Sequence, residues 1–180
     1  MTESGKTAWI FPGQGSQSVG MGKDLYETFE SAKTIFNEAD KSLGMAISEM
    51  CFEGTEEELQ LTKNTQPALL TVSYACLKAI EEINDGSFPA PDYLAGHSLG
   101  EYTALAAADV LDFKTVVYLA RERGRLMHEA GQQTPGAMAA VMGLDEVVLT
   151  AICQETSTVI ANYNTPGQLV ISGMKENVLK

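Results

Sequence analysis

Apolar and polar positions follow one another along this chain with two different periods, and where each period runs predicts the elements. Thr7-Ala8-Trp9-Ile10-Phe11 is a compact apolar run closed by Pro12, the pattern of a strand buried in a parallel sheet. Leu25, Phe29, Ala32, Ile35, Phe36, Ala39 and Leu43 then recur at helical spacing and predict one amphipathic helix ending near Gly44. Thr55-Glu56-Glu57-Glu58 is a capping box for a short helix, its acidic cluster a solvated first turn. Asn64-Thr65-Gln66-Pro67 opens a longer helix with Pro67 in the first turn, Leu69, Val72, Cys76, Ile80 and Ile83 on one face, and Asn84-Asp85-Gly86 as its stop. After Pro89-Ala90-Pro91, Asp92 to Ala95 reads as a short buried strand and Tyr102 to Val110 as helix. Asp112 caps a helix running to Gly131, with Val116, Leu119, Ala120, Met127 and Ala130 in its apolar stripe.

From Pro135 the texture changes. Gly136 to Met142 reads as a strand, Asp145 to Glu155 as a helix, Thr158 to Ala161 and Gln168 to Ser172 as strands, with Asn164-Thr165-Pro166-Gly167 as a hairpin turn. The last residues, Lys175 to Lys180, resemble the opening of a further helix. The expected fold class is therefore α/β: a parallel-sheet, hydrolase-like core over residues 1–132, then the start of a small ferredoxin-like, split β-α-β subdomain over residues 133–180.

The composition is that of a globular chain: 180 residues, 44% of them apolar, with 12 basic against 24 acidic side chains and a formal charge of −12. No basic run recommends nucleic acid or an anionic membrane surface as a partner. Cys51, Cys76 and Cys153 are far apart and read as reduced core thiols, and two histidines without paired spacing give a metal little to bind, so no metal site is expected. The polar N-terminus carries no signal-peptide pattern and no spanning helix is predicted, which points to the cytoplasm.

Candidate chemistry gathers at Gly96-His97-Ser98-Leu99-Gly100, a Gly-x-Ser-x-Gly between a predicted strand and a predicted helix. Such a nucleophile elbow presents its serine at a helix N-terminus, where unpaired N–H groups favour a developing negative charge. The glycine-rich Gly13-Gln14-Gly15-Ser16-Gln17 after the first strand has neither a Walker ending nor Gly-x-Gly-x-x-Gly, which weakens a nucleotide reading and leaves a plain turn or a wall of backbone N–H groups. Arg123 sits within the apolar stripe of its helix, while Arg121 and Arg125 project roughly 200° away from it. An inward guanidinium needs a partner, either an internal carboxylate or the carboxylate of a substrate.

Phe11-Pro12-Gly13-Gln14-Gly15-Ser16-Gln17, Gly96-His97-Ser98-Leu99-Gly100-Glu101-Tyr102, and Arg123 before Gly124, together with Thr65-Gln66-Pro67-Ala68 and Asn162 to Gln168, closely resemble the malonyl-CoA:acyl carrier protein transacylases of fatty acid and polyketide synthesis. The resemblance runs over nearly the whole chain from Thr7. It implies an acyltransferase that moves malonyl from coenzyme A to acyl carrier protein, with Ser98 as the nucleophile and the N–H groups of Gln14 and Leu99 as the oxyanion hole. It further implies that Arg123 holds the malonyl carboxylate, that Gln66 lines the site, and that His97 stands beside the substrate in a structural role. Coenzyme A thioester is then a substrate, with no bound cofactor. Leu99 fits the malonyl-selecting type. His128, about 140° from Arg123 around the helix, is expected to face solvent. Family members continue past the small subdomain and supply the activating histidine from that part, so residues 1 to 180 correspond to an N-terminal portion expected to transfer malonyl slowly or not at all. A serine esterase of α/β-hydrolase type and a non-catalytic acyl-binding remnant are the alternatives.

Overall fold

Two short parallel strands carry the first part of the chain. In the computed structural model, which describes residues 5–180, β1 (Ala8–Phe11) pairs with β2 (Tyr93–Gly96) in the register Ala8↔Tyr93, Trp9↔Leu94 and Phe11↔Gly96. The pair is pinned at its start by Asp92, whose carboxylate accepts from the Thr7 N–H at 2.8 Å. The described residues fall into two units, one reaching to His128 and the other from Glu129 to Lys180.

In the first unit the single helix expected up to Gly44 is two, α1 (Lys23–Thr28) and α2 (Glu30–Leu43), because Phe29 between them is extended at φ −119° and ψ 125° and its carbonyl starts the second helix. The apolar spacing ran through the break, since a single extended residue re-aims the helix without removing its ring from the core. Gly44, in the left-handed conformation, ends α2. The helix α3 (Ile47–Glu53), not anticipated, buries Ile47, Met50 and Cys51, and burial pushes the Cys51 thiol up to about 12. Thr55 caps α4 (Glu56–Gln60) by accepting from the Glu58 N–H.

The centre of this unit is α5 (Thr62–Ile83), packed against α2, α3 and α4 and buried on most of its circumference. It starts earlier than expected, so Pro67 lies in its second turn, where the missing proline N–H leaves the Lys63 carbonyl without its intrahelical donor. Val72, Cys76, Ile80 and Ile83, predicted to face inward, are less buried than the Ala68, Leu70 and Ala75 side: Cys76 is exposed, whereas Cys51 and Cys153 are buried. Beyond β2 come α6 (Gly100–Ala107) and α7 (Phe113–Gln133), the latter capped by Asp112, which accepts from the Thr115 N–H at 2.7 Å. The buried stripe of α7 is Phe113, Val116, Val117, Ala120 and Gly124, while Leu119 and Met127 are 37% and 48% exposed.

The second unit has β3 (Gly136–Met142), α8 (Glu146–Thr156), β4 (Val159–Thr165), β5 (Gln168–Met174) and α9 (Lys175–Val178). Its three strands are antiparallel in the order β3-β5-β4, and one face carries a small core of Leu149, Cys153, Leu169 and Ile171. Asp145 caps α8. The molecule is thus α/β, with a parallel pair and a separate antiparallel sheet. No helix among the described residues is long and apolar enough to cross a membrane.

Candidate active site

The turn after β2 exists because two glycines let three backbone segments touch. A methyl group on Gly96 would lie 1.9 Å from the Gly100 carbonyl carbon, and one on Gly100 would lie 2.2 Å from the Phe11 carbonyl oxygen. The chain therefore turns from strand to helix within four residues, held by His97 N–H to Phe11 O at 3.1 Å and Gly100 N–H to His97 O at 2.9 Å. At the apex Ser98 has φ 54°, the left-handed region that costs a non-glycine residue energy and that nucleophile elbows occupy. Its hydroxyl is exposed, while the next side chain, Leu99, is 1% exposed and anchors the turn in the core. The N–H groups of Glu101 and Tyr102 are taken up by Ser98 and Leu99 carbonyls as α6 begins.

The glycine-rich loop lies on this elbow. Because β1 and β2 are parallel and paired to their last residues, the loop after Phe11 and the turn after Gly96 leave the same end of the sheet. A methyl group on Gly13 would meet His97 Nδ1 at 2.6 Å and His97 O at 2.7 Å. The Gln14 side chain is drawn to the start of α5, where its Nε2 donates to Thr62 Oγ1 at 3.1 Å, and Gly15 N–H donates to Gln17 Oε1 at 2.8 Å.

Arg123 closes the site from α7. Its Nη2 donates to Ser98 Oγ at 3.0 Å and its Nη1 to Gln66 Oε1 at 2.6 Å, and its guanidinium carbon lies 5.8 Å from the Tyr102 ring centre. Among the described residues it pairs with no carboxylate. The structural ion pair that sequence reasoning left open is therefore absent from the described residues. Gln66 is fully buried, and its other end, Nε2, donates to Met127 Sδ at 3.2 Å.

What brings α7 to Gln66 is a contact that sequence reasoning missed. Gly124 passes so close to the start of α5 that a methyl group there would be 2.7 Å from Thr62 O. Arg121, expected to project away, instead donates from Nη1 to Lys63 O at 2.6 Å and to Asn64 Oδ1 at 2.7 Å, taking the carbonyl that Pro67 leaves unbonded. Asn64 in turn donates from Nδ2 to Glu58 O. Burial pulls the Arg121 guanidinium below its ordinary value, with Glu122 pushing it back up. Arg125 is paired with Glu122 at 2.8 Å, its side chain 43% exposed. His128, expected to face solvent, is half-buried. The signals for Arg121 and Gly124 were the proline three residues into Asn64-Thr65-Gln66-Pro67 and the glycine inside a helical pattern, each of which asks for a partner from another element.

A family model described as acyl transferase domain matches residues 8–180. The chain is 49% identical over 178 residues to the malonyl CoA-acyl carrier protein transacylase of Bacillus subtilis (strain 168), covering 96% of this chain and 55% of that protein. Among solved structures, an acyl carrier protein S-malonyltransferase from Vibrio cholerae O1 biovar eltor superposes with a TM-score of 0.88 at 41% identity, over 97% of this chain and 57% of that one. A malonyl-transacylase solved in complex with its type II PKS acyl-carrier protein is similar at a TM-score of 0.86 and 43% identity, over 97% of this chain and 57% of that one. The chain spans about half the length of the relatives it matches.

Proposed function

The chain belongs to the acyl transferase domain family, and on that premise we propose that it forms the Ser98 half of a malonyl-CoA:acyl carrier protein transacylase in fatty acid biosynthesis or polyketide synthesis. The reaction is a double displacement. Ser98 Oγ attacks the thioester carbonyl of malonyl-CoA, the coenzyme A thiolate leaves and is protonated, and malonyl rests on Ser98 as an ester. The phosphopantetheine thiol of acyl carrier protein then attacks that ester and regenerates the hydroxyl. Each step passes through a tetrahedral oxyanion, for which the N–H groups of Leu99 and Gln14 are the donors. The rigid turn supports that role for Leu99, and the contact of Gly13 with His97 supports it for Gln14.

The observation that carries the reading is the guanidinium of Arg123, 3.0 Å from the serine hydroxyl and without a carboxylate of its own among the described residues. The free carboxylate of a malonyl ester is separated from the ester carbonyl by one methylene, so an acyl group on Ser98 carries its negative charge back into the reach of Arg123. Gln66 occupies Nη1 and turns the rest of the fork toward the serine. His97, exposed at the turn and close against Gly13, is a structural neighbour of the substrate. Arg123 cannot take the serine proton, and the base is a histidine from the part of the relatives beyond this match. Malonyl-CoA is a substrate, no bound cofactor is required, and the cytoplasm is the proposed location.

The same reading assigns residues 1–132 to a hydrolase-like acyltransferase core and residues 133–180 to a ferredoxin-like subdomain. The strand order β3-β5-β4 around α8 supports the latter, as it is that of three strands of a split β-α-β unit. The test of the function is intact mass of the full-length protein after exposure to malonyl-CoA. A malonyl adduct that maps to Ser98 and is discharged by holo acyl carrier protein is expected. An adduct that persists in Ser98→Ala, or none at all, refutes the assignment.

A further inference from the structure

The guanidinium of Arg123 is aimed by a neutral amide, and that amide has a second end. Gln66 has no accessible surface; its Oε1 accepts from Arg123 Nη1 at 2.6 Å and its Nε2 donates to Met127 Sδ at 3.2 Å. The two ends of a carboxamide are not interchangeable. Turned over, Gln66 would set its NH2 group against the guanidinium, donor to donor, and its oxygen against a thioether with no proton to give. Arg123 and Met127 are four residues apart and so lie one above the other on the same face of α7. One helix grips both ends of the amide.

We propose that Met127 is a positioning residue for the selection of acyl groups that carry a carboxylate: its sulfur fixes the orientation of Gln66, and Gln66 directs Arg123 toward the acyl group on Ser98. This rests on the reading of Ser98 and Arg123 given above. A thioether suits the task because it accepts weakly and bears no charge, leaving the full positive charge of Arg123 for the substrate. A carboxylate at position 127 would also satisfy Gln66, but it would pair with Arg123 and compete with malonyl. A leucine would fill the same space and strand a donor inside the protein.

The test compares Met127→Leu, Met127→Gln and Arg123→Ala in the full-length protein, with steady-state loading from malonyl-CoA and from acetyl-CoA and an unfolding temperature for each. The expected result for Met127→Leu is a KM for malonyl-CoA raised roughly five- to tenfold, with a much smaller change for acetyl-CoA. Met127→Gln, which returns an acceptor to Gln66, recovers part of that loss. Equal losses on both substrates accompanied by a lower unfolding temperature overturn the proposal, since packing alone then accounts for Met127. So does a glutamine no better than leucine, or a Met127→Leu protein that behaves as wild type while Arg123→Ala still separates the two substrates. If Arg123→Ala fails to separate them, the reading of Arg123 itself falls, and the proposal with it.

Discussion

Arg121 and Arg123 are two residues apart on one helix and do opposite work. Arg123 holds a serine hydroxyl and a neutral amide and pairs with no carboxylate among the described residues. The charge of Arg121 is spent inside the protein, on Lys63 O and Asn64 Oδ1, closing the gap that Pro67 opens in α5. Removing Arg121 strands a partly buried carbonyl and a side-chain oxygen, so Arg121→Ala is expected to destabilise the protein by roughly 2 kcal/mol. For a chain of this size that is a fall in unfolding temperature of roughly 4–8 °C. The ratio of malonyl to acetyl loading should stay near that of the wild type, whereas Arg123→Ala should change the ratio, its own fall in unfolding temperature coming from the buried Gln66 oxygen that it strands. Calorimetry and loading assays on the two variants read this directly, and a changed ratio in Arg121→Ala would mean that the two arginines are not separate devices. Of this pair only Arg123 was legible from spacing, because an inward position announces an unusual charge. Arg121 was misplaced because helical periodicity says which way a side chain leaves its own helix, not what crosses to meet it.

At the scale of elements, the legible parts were those whose cause is local. The capping residues Thr55 and Asp112 accept from first-turn amides as expected, Asp145 caps α8 rather than opening it, and the turn at Pro166 and Gly167 joins β4 and β5. The split between α1 and α2 was hidden because Phe29 keeps the helical spacing of apolar residues while leaving helical backbone angles. The start of α5 was misread because proline is favoured in a first turn, yet here its missing N–H is compensated from another helix. The elbow was legible in its residues but not in its tightness. The carbonyl of Phe11 faces both the His97 N–H and the Cα of Gly100, so β1, the turn and α6 form one packed joint. Gly100→Ala sets a methyl group 2.2 Å from that carbonyl. Backbone cannot move aside as a flexible side chain does, and a loss of about 3 kcal/mol is expected, together with failure of Ser98 to load. A Gly100→Ala protein that melts with the wild type and loads malonyl would show that the strand, turn and helix are not pressed together as described.

For the molecule as a whole, part of the face of α5 that periodicity marked as buried is open, although Leu69 on it is buried. Val72, Cys76, Leu77 and Ile80 line a groove of about 400 Å³ with Trp9, Ile10 and Phe88, and Ile10 is 75% exposed. The amphipathic pattern predicts burial there, whereas Cys76 and Ile83 are exposed and Val72 and Ile80 only partly buried among the described residues. Parallel strands are ordinarily covered on both faces, and this pair has only one other strand's width to share. The matched relatives are nearly twice as long as this chain. Trp9 is the only tryptophan in the sequence and stacks on Phe88 at the groove wall, with ring centres 5.1 Å apart, which makes it a built-in reporter. An apolar dye added to the 180-residue chain is expected to bind and quench Trp9, because a concave apolar surface of this kind is where such ligands lodge. Ile10→Ser should weaken that binding by removing part of the wall, roughly tenfold if the dye covers the side chain. In a protein of the relatives' length the dye should lose the site, and Trp9 emission should shift to the blue as its surroundings dry. Trp9 emission identical at both lengths, with dye bound at both, would mean that the groove is a permanent feature of the surface and that the stripe on α5 was never selected for burial.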